Sequence, residues 1–399
     1  MVEPISGSAK MKTCRWKADL EVRSTGLLRG RADLRIGGGR ADLRIGKNDN
    51  MSILYLTDQG AALTKKGNRL VIEKKGNLVH WVHAFKVEQV VVMGQVQLSP
   101  GAIAFLLQEG IDTVFLSYYG KYRGRLISEF GKNIELRRRQ FQKLEEPGIR
   151  LALARSYVKG KLNNCRIFLR RQNQGLNQAD LTNAIHQLRR LANQADACDS
   201  IESLMGMEGA GAASYFGCFQ HLFRVDDITF SGRNRRPPRD PVNVLLSLGY
   251  TLLANVVQTQ VHVAGLDPYL GCLHSVEYGR PSLVLDLMEE FRPVLVDAVV
   301  VQVVNKRIIR STDFYRPEDR EPAAFDFAET ETRRENYPIL LVHTGMKKFI
   351  THFEARLQQK VLYLPSGRRL TYRQICLEQV RALVRFLNDG SDYLPFSYR

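Results

Sequence analysis

Three segments in the second half of the chain place acidic or imidazole side chains among apolar and small residues. Glu208 lies in the small-residue run 205–213, and His274 follows a Gly-Cys-Leu tripeptide. Asp286 and Glu289 are three residues apart in an apolar stretch, so on a helix they share one face. Carboxylates suit Mg²⁺ and Mn²⁺, and an added imidazole favours Mn²⁺. Taken together, the segments predict a divalent-metal site.

Each segment also has a purely structural interpretation. Glu208 could be incidental at a tight crossing of two helices, where glycine and alanine allow close approach. His274 could be a hydrogen-bonded structural residue. Asp286 or Glu289 could pair with Arg292 on the surface, because an unpaired buried carboxylate is costly. The metal site is favoured by the combination of segments and not by any single one.

The net charge indicates what such a metal would act on. The chain has 58 Lys and Arg against 41 Asp and Glu, a formal charge of +17, which favours a polyanionic partner. Residues 121–171 alone hold 15 basic and 4 acidic side chains, suited to a phosphate-backbone groove or, alternatively, to a solvated helix face. A metal beside nucleic acid would polarise a phosphodiester. The sequence contains no GxxxxGK[ST] motif, so an ATP-driven motor is not expected.

A second basic element precedes a predicted helix at Pro241. Residues 231–241 place four arginines around prolines, and such a rigid loop can hold phosphates through bidentate contacts. The alternative is an exposed linker. We assign five residues to DNA binding: Arg233, Arg235, Arg236, Arg239 and, beside the Glu208 segment, Tyr215.

The chain that must position these residues divides into three stretches that differ in composition and periodicity. Residues 1–50 contain the octapeptide GRADLRIG twice and predict a flexible, repetitive extension. Residues 51–130 contain short Val-, Ile- and Leu-rich runs separated by Gly-Asn pairs, which predict a β-rich N-terminal domain. Residues 131–399 show helical periodicity and predict a larger, all-helical catalytic domain. The expected fold class is therefore α+β.

The periodicity also gives expected bounds for the individual elements. Strands are predicted at Ser52–Thr57, Arg69–Glu73, Leu78–His83, Val87–Met93, Thr113–Ser117 and Gly124–Ile127. Helices are predicted at Pro100–Gln108, Ile134–Phe168, Asp180–Gln194, Ile201–Phe223, Pro241–Val263, Pro281–Asn305, Met346–Lys360 and Tyr372–Leu387. The acidic stretch at residues 311–338 is expected to form a surface excursion with short strands or turns between helices.

The composition indicates the cellular compartment and argues against several kinds of structural scaffold. No run of 18 apolar residues occurs, so no transmembrane helix and no membrane partner are expected. The six cysteines lie far apart and form no C-x-x-C pair, which argues against a zinc ribbon or a disulfide scaffold. The N-terminal residues lack the apolar core of a signal peptide. We therefore expect a cytoplasmic protein.

Four linked motifs resemble the family of CRISPR-associated endonucleases and integrases that insert new spacers into CRISPR arrays. Their order and spacing are similar to the family's, and they occupy residues 206–216, 233–250, 268–274 and 285–293. Residues 115–126 also resemble the family's N-terminal domain, so the resemblance covers residue 51 to about residue 390. Residues 1–50 fall outside it.

The resemblance implies an N-terminal β-domain that forms much of a homodimer contact, followed by a helical metal-binding domain. It implies that Glu208, His274 and Glu289 are the ligands of Mg²⁺ or Mn²⁺. Asp286 would line the same site and be needed for activity, and Arg292 would hold a phosphate or orient a carboxylate. Relatives often have Asp where this chain has Glu289, which leaves open whether Asp286 or Glu289 is the direct ligand.

The implied reaction is a transesterification on double-stranded DNA. The 3′-hydroxyl of a captured fragment attacks a phosphodiester at the edge of a CRISPR repeat, whereas water at the same site cleaves DNA. The implied assembly is a heterohexamer, in which two dimers flank a dimer of a small ferredoxin-like adaptation partner. The same residues also fit a metal-dependent nuclease or resolvase of branched DNA outside CRISPR. A non-catalytic nucleic-acid-binding scaffold is the third possibility.

Overall fold

The computed structural model describes residues 52–127, 133–234, 238–316 and 339–398. The predicted extension at residues 1–50 lies outside them, as do Arg235 and Arg236 and most of the predicted acidic excursion. In the described part a β-rich region is followed by a mostly helical one, which confirms the α+β class.

The β-rich region contains two sheets and one helix. Its elements are β1 (Ser52–Leu56), β2 (Ala61–Lys66), β3 (Arg69–Lys74), β4 (Asn77–His83), β5 (Val87–Met93), β6 (Gln97–Leu98), α1 (Pro100–Gln108), β7 (Asp112–Leu116) and β8 (Tyr122–Leu126). One sheet has the order β1-β5-β7-β8, parallel except for β8, and the other has the order β4-β3-β2-β6. The hairpin turns use Gly67 and Gly76 at φ angles of 58° and 78°, as the Gly-Asn pairs predict.

The helical region begins at Ile134. Its helices are α2 (Ile134–Glu145), α3 (Pro147–Asn173), α4 (Ala179–Gln194), α5 (Ile201–Gly217), α6 (Pro241–Ala264), α7 (Ser282–Met288), α8 (Ala298–Asn305), α9 (His343–Leu357) and α10 (Tyr372–Asp389). Local signals fix several of their ends. Asp240 caps α6 by accepting a hydrogen bond from the Asn243 amide, Pro241 opens that helix, and Gly265 ends it at a φ angle of 82°.

Two of the predicted helices are interrupted. The helix predicted at residues 134–168 is divided into α2 and α3, because Pro147 has no amide hydrogen and holds Glu146 in an extended conformation. The helix predicted at residues 281–305 ends at Met288 and resumes as a π-helical turn, Arg292–Asp297, that continues into α8. Pro293 lies in that turn, where its ring is incompatible with a regular α-helix.

The second region is mostly helical rather than all-helical, and one of its short strands lies within residues 311–338, where short strands or turns are predicted. The described residues there include β9 (Phe314–Tyr315) paired with β10 (Leu340–Leu341), and β11 (Lys360–Tyr363) paired with β12 (Arg368–Thr371). These strands have two to four residues, too few to show a recognisable alternation of polar and apolar side chains.

Buried polar contacts join the β-rich region to the helices. Gln89 donates from its Nε2 to Asp112 Oδ2 at 2.6 Å and to Thr259 Oγ1 of α6 at 2.7 Å. At the other side, the hydroxyl of Tyr55 on β1 donates to Glu354 Oε1 of α9 at 2.7 Å. Because buried polar groups are costly without partners, these bonds favour one relative placement of the two regions.

Helix α6 is long and apolar enough, by length and composition alone, to cross a membrane. In this fold 72% of its most apolar window is buried by neighbouring elements, among them α7 and α10. Its apolar composition is therefore accounted for by packing in the protein core.

Candidate active site

Helices α3, α5 and α7 bring two carboxylates onto one cation. Glu208 projects from α5 and Glu289 follows the last turn of α7. Lys161 of α3 reaches both of them: its Nζ contacts Glu208 Oε1 and lies 2.5 Å from Glu289 Oε2. The Glu289 side chain is 4% exposed and that of Lys161 is 11% exposed, so this is a largely desolvated ion cluster.

Arg292 supplies a second positive charge. Its Nε lies 3.1 Å from Glu289 Oε1, and its guanidinium lies over the Tyr250 ring, 4.7 Å from the ring centroid. Burial by itself raises the pKa of Glu289, but Arg292 and Lys161 outweigh it and hold that pKa well below its usual range, with a smaller contribution from His274. Glu289 is therefore a carboxylate at neutral pH, in the form that binds cations.

Asp286 has a different task from Glu289. Its carboxylate is fully buried and accepts four hydrogen bonds from the loop before α7. Oδ2 accepts from the amides of Cys272 and Leu273, while Oδ1 accepts from the amide and the Nδ1 of His274. The loop can approach this closely because residue 271 is glycine: a Cβ there would lie 2.6 Å from Asp286 Oδ2. Asp286 thus has both oxygens committed to the loop.

This arrangement orients His274. Its Nδ1 lies 2.6 Å from Asp286 Oδ1 and, since a carboxylate only accepts, carries the hydrogen of that bond. In the neutral imidazole the opposite nitrogen, Nε2, then carries the lone pair, and it has no hydrogen-bond partner among the described residues. Histidine ligands of metals commonly donate their second nitrogen to a carboxylate in this way.

Two carboxylates and an imidazole are the donor types of a Mg²⁺ or Mn²⁺ site. Glu289 Oε2 is buried and accepts no hydrogen bond of normal geometry from a described residue, although an ammonium lies beside it. A cationic group already bridges the two glutamates, and because Asp286 holds Nδ1 of His274, Nε2 is the ring nitrogen left to bind a cation. Within the described residues, however, no three His, Cys, Asp or Glu side chains gather closely enough to hold a metal. The assignment of Glu208, His274 and Glu289 as ligands stays a prediction.

Asp297 forms a second buried carboxylate centre next to the first. It accepts hydrogen bonds from the hydroxyls of Tyr215 and Tyr250, at 2.9 and 2.7 Å. Burial raises its pKa to about 6, against the opposing effect of the two hydroxyls. A cavity of about 30 Å³ lies between this centre and Lys161 and Arg292, large enough for one water molecule.

The prediction that Tyr215 contacts DNA is wrong for this structure. Its side chain is 2% exposed, its hydroxyl donates to Asp297, and its ring packs against neighbouring phenylalanines, including Phe219. Its place in the sequence, just after the Glu208 segment, favours a role in DNA binding. On helix α5, however, it lies on the face that packs into the core.

The arginine loop is partly described. Arg233 donates to the carbonyl of Asn234 and to Asn243 Oδ1, and so ties the loop to the first turn of α6. The side chain of Arg239 is exposed. Contact of these arginines with DNA stays a prediction, and Arg235 and Arg236 lie outside the described residues.

Sequence reasoning missed Lys161 and Asp297 as site residues. Lys161 is hidden among the basic side chains of residues 121–171, and only its burial and its two glutamates distinguish it. Asp297 did carry a signal, because it is the one charged residue within the apolar run 293–301. A buried acid of that kind needs partners, and the structure identifies them as tyrosines.

Comparison with known families decides the assignment. The family model described as CRISPR associated protein Cas1 matches residues 54–355, three quarters of the chain, including all four acidic and imidazole residues of the site. The chain belongs to the Cas1 family. The predicted resemblance is therefore confirmed, while the metal and the details of the reaction remain predictions.

Several curated Cas1 proteins match over nearly their whole length. The CRISPR-associated endonuclease Cas1 3 of Thermus thermophilus is 37% identical over 352 residues, covering 88% of this chain and 98% of the relative. The CRISPR-associated endonuclease Cas1 1 of Chlorobaculum tepidum is 30% identical over 362 residues, covering 88% and 99%.

Solved structures share the fold. A casposase bound to integration product gives a TM-score of 0.73, with 23% identity, over 88% of this chain and 95% of that one. A Cas6-RT-Cas1–Cas2 complex gives 0.72 with 23% identity, over 88% of this chain and 37% of that one. A CAS1 protein from Thermotoga maritima gives 0.70 with 23% identity, over 87% and 100%. At this identity the likeness concerns the fold.

Proposed function

We propose that this Cas1 protein is a metal-dependent DNA endonuclease and integrase that inserts short foreign DNA fragments as new spacers into a CRISPR array. The observation that carries the proposal is the meeting of Glu208 and Glu289 on one cationic group, beside a histidine held by Asp286. The relatives' description as CRISPR-associated endonucleases supports the reaction class.

The contacts of each residue suggest its role in the proposed reaction. Glu208, Glu289 and the Nε2 of His274 would hold Mg²⁺ or Mn²⁺, which supplies Lewis-acid activation of the phosphodiester and of the attacking 3′-hydroxyl or water. Asp286 keeps His274 in the tautomer whose Nε2 can bind a cation. Arg292 now pairs with Glu289, and when Glu289 binds a metal part of the guanidinium would be free to hold a phosphate oxygen.

The proposed substrates are the captured double-stranded fragment and the CRISPR repeat. The net charge of +17 supports a duplex partner. A fold neighbour is a Cas1–Cas2 complex, and we propose an equivalent small ferredoxin-like partner and a heterohexamer for this chain. We place the reaction in the cytoplasm, a proposal that the buried free thiols of Cys165, Cys272 and Cys376 support.

The proposed homodimer would use the β-rich region. Strand β4 lies at the edge of its sheet, so one row of its backbone groups faces away from β3. Leu78 on this strand is 62% exposed, and Phe85, just after it, is 71% exposed. An open edge with large exposed apolar side chains is typical of an interface between subunits.

The test is a strand-transfer and nicking assay on supercoiled plasmid that carries a CRISPR repeat, with Mn²⁺ or EDTA. We expect Glu208→Gln to abolish both reactions while the protein stays folded, because one anionic ligand becomes neutral. Glu202→Gln, in the exposed first turn of the same helix, is the matched control and should retain activity.

The outcomes separate the three candidate functions. Mn²⁺-dependent transfer at the repeat boundary, absent in Glu208→Gln, supports the proposal. Cleavage of branched DNA with no transfer into the repeat favours a resolvase. DNA binding without any metal-dependent reaction in the unmodified protein favours a scaffold.

A further inference from the structure

Lys161 is a buried charge whose position the proposed reaction does not explain. It lies within α3, where its neighbours in the chain are core residues such as Val158 and Leu162. Its ammonium contacts Glu208 Oε1 and lies 2.5 Å from Glu289 Oε2, so the side chain is held between two carboxylates.

The four charged side chains in direct contact balance one another without any added ion. Glu208 and Glu289 contribute two negative charges, and Lys161 and Arg292 contribute two positive ones. A divalent ion contacts its oxygen ligands at about 2.0–2.6 Å. Lys161 Nζ already contacts an oxygen of each glutamate. An ammonium and a metal cannot both contact the same oxygen at such distances, so the ammonium must move before a metal can take those oxygens.

We propose that Lys161 is an internal counter-cation that holds the metal position of the site until a divalent ion binds, so that metal binding requires its ammonium to leave both glutamates. This inference rests on the proposed metal-dependent function. It means that the site is ordered before metal arrives, at the expense of metal affinity. It also means that metal binding releases a positive charge next to the place where a DNA phosphate would lie.

The experiment measures binding of Mn²⁺ alone to the 399-residue protein by titration calorimetry, together with melting temperatures in EDTA and in Mn²⁺. Lys161→Met keeps the length of the side chain and removes its charge. We expect it to bind Mn²⁺ at least about tenfold more tightly, because no ammonium competes for the glutamates. In EDTA it should melt about 5 °C lower, because two carboxylates are left without that partner, and Mn²⁺ should restore the melting temperature.

Lys159→Met is the matched control. Lys159 lies on the same helix but pairs with Asp196 at the surface, so its removal should change neither the Mn²⁺ affinity nor the melting temperature in EDTA. Should Lys161→Met fail to fold, the comparison moves to Glu208→Gln with and without Lys161→Met. In the double variant Glu289 and Arg292 balance each other, and it should bind Mn²⁺ more tightly than Glu208→Gln alone.

The results distinguish this inference from the proposed function. Equal or weaker Mn²⁺ binding after removal of the lysine overturns the role of Lys161 and leaves the metal-dependent function standing. No Mn²⁺ binding by either protein overturns the metal dependence, and the inference with it. Tighter binding and a metal-dependent recovery of melting temperature in Lys161→Met alone support the inference.

Discussion

Replacing Asp286 by asparagine should separate the folding of the site from its ability to bind metal. In the structure Asp286 Oδ2 accepts from the amides of Cys272 and Leu273, while Oδ1 accepts from the amide and the Nδ1 of His274. Asparagine keeps one oxygen, which can satisfy the first pair of amides. Its NH₂ group then faces His274.

The substitution has two consequences at His274. The amide of His274 is left facing a donor, which should lower the free energy of unfolding by about 1–3 kcal/mol, the cost of one unsatisfied buried donor. The asparagine NH₂ can instead donate to Nδ1 of His274, which moves the ring hydrogen to Nε2. Because the nitrogen that would bind metal is then protonated, we expect Mn²⁺ affinity to fall about 10–100-fold.

The assay combines urea unfolding in EDTA, Mn²⁺ titration calorimetry and plasmid nicking. Asp267→Asn is the matched control, since the side chain of Asp267, at the start of the same loop, accepts from the Tyr269 amide and not from His274. Asp286→Asn protein that is folded and binds Mn²⁺ within about threefold of the unmodified protein would refute the argument that Asp286 acts through His274. Failure of Asp286→Asn to fold, with Asp267→Asn unaffected, would show that the loop itself depends on the carboxylate.

Other parts of the chain support three more predictions. Burial raises the pKa of the Glu290 carboxyl to about 7 from 4.5. The protonated carboxyl therefore stabilises the folded protein below about pH 4.5, and this stabilisation is lost as the pH rises through 7. In urea unfolding between about pH 4.5 and 8, Glu290→Gln should remove roughly 3 kcal/mol of the change in the free energy of unfolding with pH. Arg235→Ala with Arg236→Ala should weaken duplex binding and lower the slope of log affinity against log salt by about 0.9 for each phosphate that the loop no longer binds, and an unchanged slope would argue against phosphate binding by this loop. Protein beginning at Met51 should fold and nick DNA in Mn²⁺; an insoluble or inactive product would contradict the prediction that residues 1–50 are an appendage.

Local signals in the sequence are sufficient for the fold class and for many element bounds. Helix α1 has the predicted bounds, Pro100–Gln108, because Ser99 caps it and Pro100 opens it. Strand β5 also has its predicted bounds, Val87–Met93, because it is rich in valine and Gly94 follows it at a φ angle of 76°. Such signals involve neighbouring residues, so they can be recognised without knowing what packs on them. Pro293 is a signal of the same kind, yet the helix predicted from periodicity runs through it.

The sequence by itself determined the family, through the motifs around Glu208, His274, Asp286 and Glu289 that place the chain with the Cas1 proteins. Only the tertiary structure decided what each of these residues contacts. Asp286 and Glu289 look equivalent on one helical face, but the fold turns one toward the backbone amides of a loop and the other toward Arg292 and a lysine 128 residues earlier in the chain. The physical reason is that pairing and burial depend on which helices pack together. That packing is decided by contacts between residues far apart in sequence. Periodicity and spacing within one segment carry no information about such contacts.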